Sequence, residues 1–347
     1  MEKQTISVEA PAKVNLTFEI TGLFDDGYHA VKTLMQSISL ADILTFSIAP
    51  SSKLSIDIAL DGLAYGDFPL GQDNLIARAI RLYLTEIAGK DAGARENSNW
   101  QEGLSPLEIK VETKKRIPIG AGLAGGSADA AAALVALNHY HNNALTIEQL
   151  KNIGSQLGAD VPFCLCGGTM VGTGRGDMLT PIANSNEMHF VLAKPRHLGI
   201  ATPWAYKTFD DTAEKLGLSE RLKDRGIADD ATDFASQALQ DGDLSTAIKA
   251  LGNDFEQAIF PHYKELKATK HRFLEAGALA CHMTGSGPTI YALAESLESA
   301  EELKEKFNEL LVNENTMVCA TKFDQIDLYV ASTKTGGASV LLAEPLS

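Results

Sequence analysis

The sequence predicts a two-domain α+β protein, and three observations carry that expectation. Its 347 residues are about two domains' worth of chain. Alternating apolar stretches of strand length are interleaved with longer stretches of helical period. A glycine-rich turn opens onto an alanine run near residue 120, and a second glycine turn follows near residue 285. The expected division is 1–180 and 181–347.

Taken in order, Ile6/Val8 and Val14/Leu16/Phe18/Ile20 alternate, which predicts two strands around a break at Pro11. Lys13 and Asn15 share one face of the second strand; taken alone, Lys13 reads as a solvated strand lysine. Asp25-Asp26-Gly27-Tyr28-His29 reads as an exposed hairpin tip or as the wall of a pocket. A strand or strand pair over 37–48 and a strand over 54–58 follow. Asp73-Asn74 cap an amphipathic helix over 73–84. Residues 88–105 are polar and read as a surface insertion. A strand over 107–111 leads to the glycine turn, and a helix follows to about His139. Thr146-Ile147-Glu148-Gln149 has the form of a capping box for a short helix. Asp160 lies between Gly158 and a stretch marked by Pro162; it reads as a turn cap or as a carboxylate at the edge of a pocket. The glycines over 167–176 read as a hairpin. Phe190 to Pro195 is expected to start the second domain, and a helix begins near Pro203. Residues 210–256 read as charged and helical with a break at Gly242. A helix over 263–276, a strand after Pro288 and a charged helix over 298–311 follow. The tail beyond Asp324 carries weak strand signals.

The net charge of −15 argues against non-specific nucleic-acid binding. No apolar run approaches the length of a membrane span, and the N-terminus lacks an apolar leader core, so a cytoplasmic protein without a membrane or nucleic-acid partner is expected. Four cysteines, Cys164, Cys166, Cys281 and Cys319, have no zinc spacing and are expected to be reduced.

The stretch that carries chemistry is Pro118-Ile119-Gly120-Ala121-Gly122-Leu123-Ala124-Gly125-Gly126-Ser127-Ala128. Glycine lets backbone N–H groups converge on a ligand. Ser127 is the expected N-cap of the alanine helix. A glycine loop at a helix N-terminus is an anion site, best suited to a nucleotide phosphate. Two common motifs come close. The Walker pattern fits Gly120, Gly125 and Ser127, but Gly126 stands where its lysine belongs. The dinucleotide pattern fits Gly120, Gly122 and Gly125, but Lys114-Lys115-Arg116 precede it where a buried strand should run.

Three segments in this order resemble the GHMP small-molecule kinases: Pro11-Ala12-Lys13-Val14-Asn15-Leu16, the loop over 118–128, and Met283-Thr284-Gly285-Ser286-Gly287-Pro288. The resemblance implies a ribosomal-protein-S5-like N-terminal domain with the phosphate loop and a ferredoxin-like C-terminal domain. It implies ATP and Mg²⁺, with the loop holding the nucleotide, Ser127 facing the metal, and Lys13 and Asp160 as the catalytic pair. Asp26-Gly27-Tyr28-His29, Asp73-Asn74-Leu75-Ile76, the stretch over 157–163 and Gly174-Arg175-Gly176-Asp177 are most similar to the branch whose acceptor is a cytidine-diphosphate-linked methylerythritol. By that likeness Asn15, Tyr28, His29 and Tyr206 would contact this small-molecule substrate. Another small alcohol, homoserine- or mevalonate-like, and a non-catalytic nucleotide sensor are the rival readings. Ala124 departs from the family's usual glycine, and Ala128-Asp129 from its usual Ser-Asn or Ser-Ala.

Overall fold

A computed structural model describes residues 3–61, 68–92, 105–184, 186–216, 230–315 and 325–345. The N-terminal part is a mixed sheet built on one long hairpin, β1 (Gln4–Leu23) and β2 (His29–Pro50). Strands β3 (Ser55–Asp61) and β4 (Leu107–Lys114) extend it beyond β2 in the order β1-β2-β4-β3. The expected break at Pro11 is absent: β1 runs straight through it. Pairing with the C-terminal strand stops at Glu9, and the register with β2 slips between Pro11 and Lys13. A proline without an N–H is tolerated where the ladder is already interrupted by a bulge.

Helices α1 (Leu75–Ala92) and α2 (Gly125–Tyr140) pack together, and α2 also packs on β1 and β2. Ala128, Ala130, Ala131, Ala132, Ala133 and Ala136 are buried, because α2 is enclosed by sheet and helices, and their small side chains permit a close approach. The capping box is present: Gln149 N donates to Thr146 Oγ1 at the start of α3 (Ile147–Ser155). A short α4 (Val161–Cys166) leads to the hairpin of β5 (Thr169–Thr173) and β6 (Met178–Pro181), which hangs on β2.

Strand β7 (His189–Pro195) opens the second sheet. Helices α5 (Thr202–Leu216), α6 (Ala231–Gln240) and α7 (Leu244–Ile248) follow, the last two broken at Gly242 as expected. Then come β8 (Gly252–Asn253), which adds to β1, and α8 (Phe255–Ile259) and α9 (Lys264–Glu275). Strands β9 (Ala280–Met283) and β10 (Ile290–Ala294), helix α10 (Leu297–Asn315) and strand β11 (Ile326–Ser332) complete the unit, with sheet order β11-β7-β10-β9.

The tail crosses back over the expected division at residue 180. β12 (Ser339–Pro345) returns to pair antiparallel with β1, so the last strand belongs to the first sheet. Leu341 and Leu342 are about half exposed on this edge strand, which is why its signal in the sequence is weak. β7 also serves both cores: Phe190 and Leu192 face the first, Val191 and Ala193 the second. A period of two on a doubly covered strand joins the halves. Most of the expected insertion over 88–105 lies outside the described residues, as do 217–229 and Cys319; residues 88–92 finish α1. Cys164, Cys166 and Cys281 are free.

Candidate active site

The glycine turn over 118–124 takes the chain from β4 into α2. Gly122 has a φ of 76°, and a Cβ there would stand 2.5 Å from the Thr284 carbonyl oxygen and 3.0 Å from that of Gly287. Only glycine lets the two glycine turns touch. Ala124 is the residue before α2, with φ 58°, and no side chain caps the helix. Ser127 is therefore not the N-cap; it sits in the first turn, and the leading N–H groups of α2 stay free for a ligand.

Lys13 follows the bulge in β1. Its backbone N–H donates to Leu123 O at 3.2 Å, which ties the strand to the loop. Its Nζ donates to Asn15 Oδ1 at 2.5 Å and stands 3.8 Å from Asp160 Oδ2. Asn15 donates from Nδ2 to Thr33 Oγ1 and from its backbone N–H to Thr284 Oγ1. Both Lys13 and Asn15 are buried, contrary to a solvated strand face, because the glycine turns cover that face. Asp160 precedes α4, yet its carboxylate makes no capping bond and stays open to the cleft.

These residues line one cavity of about 610 Å³. Lys13, Asn15, Asp160 and Tyr206 are in its wall, with Pro118, Ile119, Gly120, Ala121, Gly122, Ala124, Gly125, Gly126 and Ser127. Leu123 and Ala128, also expected to touch nucleotide, belong to the hydrophobic core and lie outside this lining. Tyr28 and His29 are also outside the lining. His29 stacks on Tyr206, with ring centroids 4.5 Å apart, and its Nε2 lies 2.7 Å from Asp210 Oδ1. Tyr28 is exposed, with the Arg175 guanidinium 4.0 Å from its ring centroid. Burial, aided by the nearby Asp160 charge, pushes the Tyr206 phenol up to about 12.

Sequence reasoning missed the floor of the loop. Lys115 Nζ donates to Asp129 Oδ2 at 2.8 Å and to Asp42 Oδ2, while Asp42 Oδ1 accepts from the N–H groups of Arg116 and Ile117. Burial pulls the Lys115 ammonium down, and the facing Asp129 and Asp42 carboxylates outweigh it and hold its pKa above the usual value. A signal was present: Val111, Thr113, Lys115 and Ile117 are buried in alternation, so the strand period continues through the charged run. Arg175, from the stretch Gly174-Arg175-Gly176-Asp177, also lines the cavity, although no role was expected of it.

A glycine loop at an open helix end, a buried lysine and a facing carboxylate in one cleft can hold a phosphate and take a proton from a hydroxyl. A family model described as the GHMP kinases N terminal domain matches residues 74–168, and one described as GHMP kinases C terminal matches 235–313. The fold and the paired domains are those of a GHMP kinase. The 4-diphosphocytidyl-2-C-methyl-D-erythritol kinase of Acaryochloris marina is 36% identical over 319 residues, covering 91% of this chain and 96% of that protein. That of Gloeobacter violaceus is 33% identical over 341 residues, covering 98% of each. A crystal structure of a 4-(cytidine 5'-diphospho)-2C-methyl-D-erythritol kinase superposes with TM-score 0.68 at 29% identity, covering 96% of this chain and all 100% of that one. A homoserine kinase from Cytophaga hutchinsonii, 21% identical with TM-score 0.69, shares the fold. The chain belongs to the family of the 4-diphosphocytidyl-2-C-methyl-D-erythritol kinases.

Proposed function

We propose that this protein transfers the γ-phosphoryl group of ATP to the 2-hydroxyl of 4-diphosphocytidyl-2-C-methyl-D-erythritol, a step in non-mevalonate isoprenoid precursor biosynthesis. The observation that carries the reading is the Lys13–Asp160 pair, 3.8 Å apart, opening on the same cavity as the glycine loop. Phosphoryl transfer asks mainly for positioning and charge stabilisation. N–H groups of the loop and of the first turn of α2 bind the phosphates. Asp160 accepts the proton of the acceptor hydroxyl as it attacks phosphorus. Lys13 keeps that carboxylate ionised and offsets charge on the transferred group. Asn15 orients the Lys13 ammonium through the 2.5 Å hydrogen bond.

Among the described residues no group of three or more His, Cys, Asp and Glu side chains gathers that could hold a metal ion. The donor set suits Mg²⁺ carried chiefly by phosphate oxygens, with the Ser127 hydroxyl as protein ligand. Bound there, Mg²⁺ would neutralise phosphate charge. Tyr206 forms one wall for the acceptor, and His29, stacked on it and held by Asp210, fixes its plane. Tyr28 stands outside the lining, exposed beside the Arg175 guanidinium. No helix of the described residues is long and apolar enough to cross a membrane. The three free cysteines fit the cytoplasm, where thiols stay reduced.

The test is ADP release from Mg·ATP with this acceptor, run beside homoserine and mevalonate. Turnover with the cytidyl substrate alone is expected. Turnover only with another alcohol would keep the Lys13–Asp160 chemistry and replace the acceptor. ATP binding without turnover of any acceptor would favour a sensor.

A further inference from the structure

We propose that Arg175 recognises the diphosphate of the acceptor and so determines which alcohols this kinase takes; this rests on the proposed function. The lining holds the glycine loop and the start of α2, Asp160, and a second wall in which Phe18 and Tyr206 pack on Phe255 and Val31 stands against Gly176, beside Arg175. An acceptor whose hydroxyl meets Asp160 extends toward that second wall, away from ATP.

Among the described residues the lining carries three cations, Lys13, Lys115 and Arg175. Lys13 serves Asp160, and Lys115 is already held by two buried carboxylates. Arg175 is the one left for a second anion. It stands at the tip of the β5–β6 hairpin between Gly174 and Gly176, whose φ values of 71° and 93° make so tight a turn. Val31 N donates to Gly174 O at 2.8 Å, which sets the tip against the start of β2.

In this structure the guanidinium pairs with Asp26 and lies over Tyr28. Both members of the pair are about half exposed, so it is weak and easily exchanged for phosphate oxygens. A guanidinium offers a diphosphate a planar fork of donors. A chain of net charge −15 needs such a local cation to draw in a polyanion. Homoserine and mevalonate carry no diphosphate and gain nothing from this contact.

The test is steady-state kinetics on Arg175→Gln and Asp26→Asn. Arg175→Gln is expected to raise the KM for the acceptor about tenfold or more, on the scale of a charge-assisted hydrogen bond, while kcat and the KM for ATP stay within about twofold. Asp26→Asn breaks the same clasp but keeps the cation, and is expected to leave the acceptor KM unchanged or lower it. In calorimetric titrations the wild type should bind CDP more tightly than cytidine, and Arg175→Gln should lose that margin. An unchanged acceptor KM in Arg175→Gln would overturn the proposal. So would an Asp26→Asn variant as impaired as Arg175→Gln, or an equal loss of CDP and cytidine binding, since either would reduce Arg175 to a tie for the hairpin tip. A wild-type enzyme that does not turn over the cytidyl acceptor would overturn the proposed function and this proposal together; a working wild type with an unaffected Arg175→Gln overturns this proposal alone.

Discussion

Asp160 and Lys13 are close enough to interact yet make no direct hydrogen bond, their separation being 3.8 Å. Lys13 donates to Asn15 instead, which leaves Asp160 free to accept from a substrate hydroxyl. Asp160→Asn and Lys13→Met are expected to lower kcat by ~10²-fold or more, on the scale of general-base catalysis, with unchanged melting temperatures; parallel kinetics and melting curves check this. Lys115 behaves differently because its charge is structural. Lys115→Met would leave the buried Asp42 and Asp129 carboxylates facing each other, and is expected to cost ~3–5 kcal/mol of stability in denaturant titration. Ala124 holds a left-handed φ of 58° that glycine adopts freely. Ala124→Gly is expected to stabilise the protein by ~0.5–1 kcal/mol, read as an upward shift of the denaturation midpoint. The alanine holds this backbone at a cost in strain.

The second glycine turn is held from behind by Glu256. Its carboxylate accepts from Met283 N at 2.7 Å and from Lys270 Nζ at 2.6 Å, with His282 Nδ1 3.3 Å away. Burial alone would push this carboxyl up, but His282 and Lys270 outweigh it and hold it down at about 2. A depressed carboxylate pKa adds stability that is present above the unfolded value of 4.5 and is lost as pH falls through about 2. Wild type should therefore lose up to ~3 kcal/mol across that window that Glu256→Gln does not lose. Melting curves at stepped pH on both proteins measure the difference. Gly122 joins this turn to the phosphate loop, and a methyl group there would meet the Thr284 carbonyl at 2.5 Å. Gly122→Ala is expected to push the loops apart and weaken ATP binding in a nucleotide titration more than it lowers acceptor affinity.

Across the whole molecule, the tail closes the first sheet and reaches α4. Ala338 N donates to Cys164 O at 2.8 Å, and a Cβ on Gly337 would stand 2.4 Å from that same oxygen. This contact bears on α4, the helix that Asp160 precedes. Ending the chain after Ser332 is expected to lower the melting temperature and cause aggregation, because it bares the β1 edge; light scattering during a thermal ramp would show it. Removing a strand that served only as decoration would change neither.

Most of the chemistry could be read before the fold was known. Glycine at 120, 122, 125 and 126, the alanine run behind them, and the motifs around Lys13 and Met283 are local patterns, set by what a backbone must do to meet a phosphate. Their order along the chain pointed to the family. The path through Pro11, the helical rather than capping place of Ser127 and the burial of Lys13 and Asn15 depend on partners up to 269 residues away, such as Thr284 beneath Asn15. Lys115 looked like one charge among three until Asp42 and Asp129 met it. Tyr28 and His29 carried the substrate likeness, yet their side chains turned to Arg175, Tyr206 and Asp210. Local spacing states which groups a chain offers to a ligand. Which of them face the cleft, and which are spent holding one another, is decided by contacts that close only when two sheets share β7 and the tail comes home to β1.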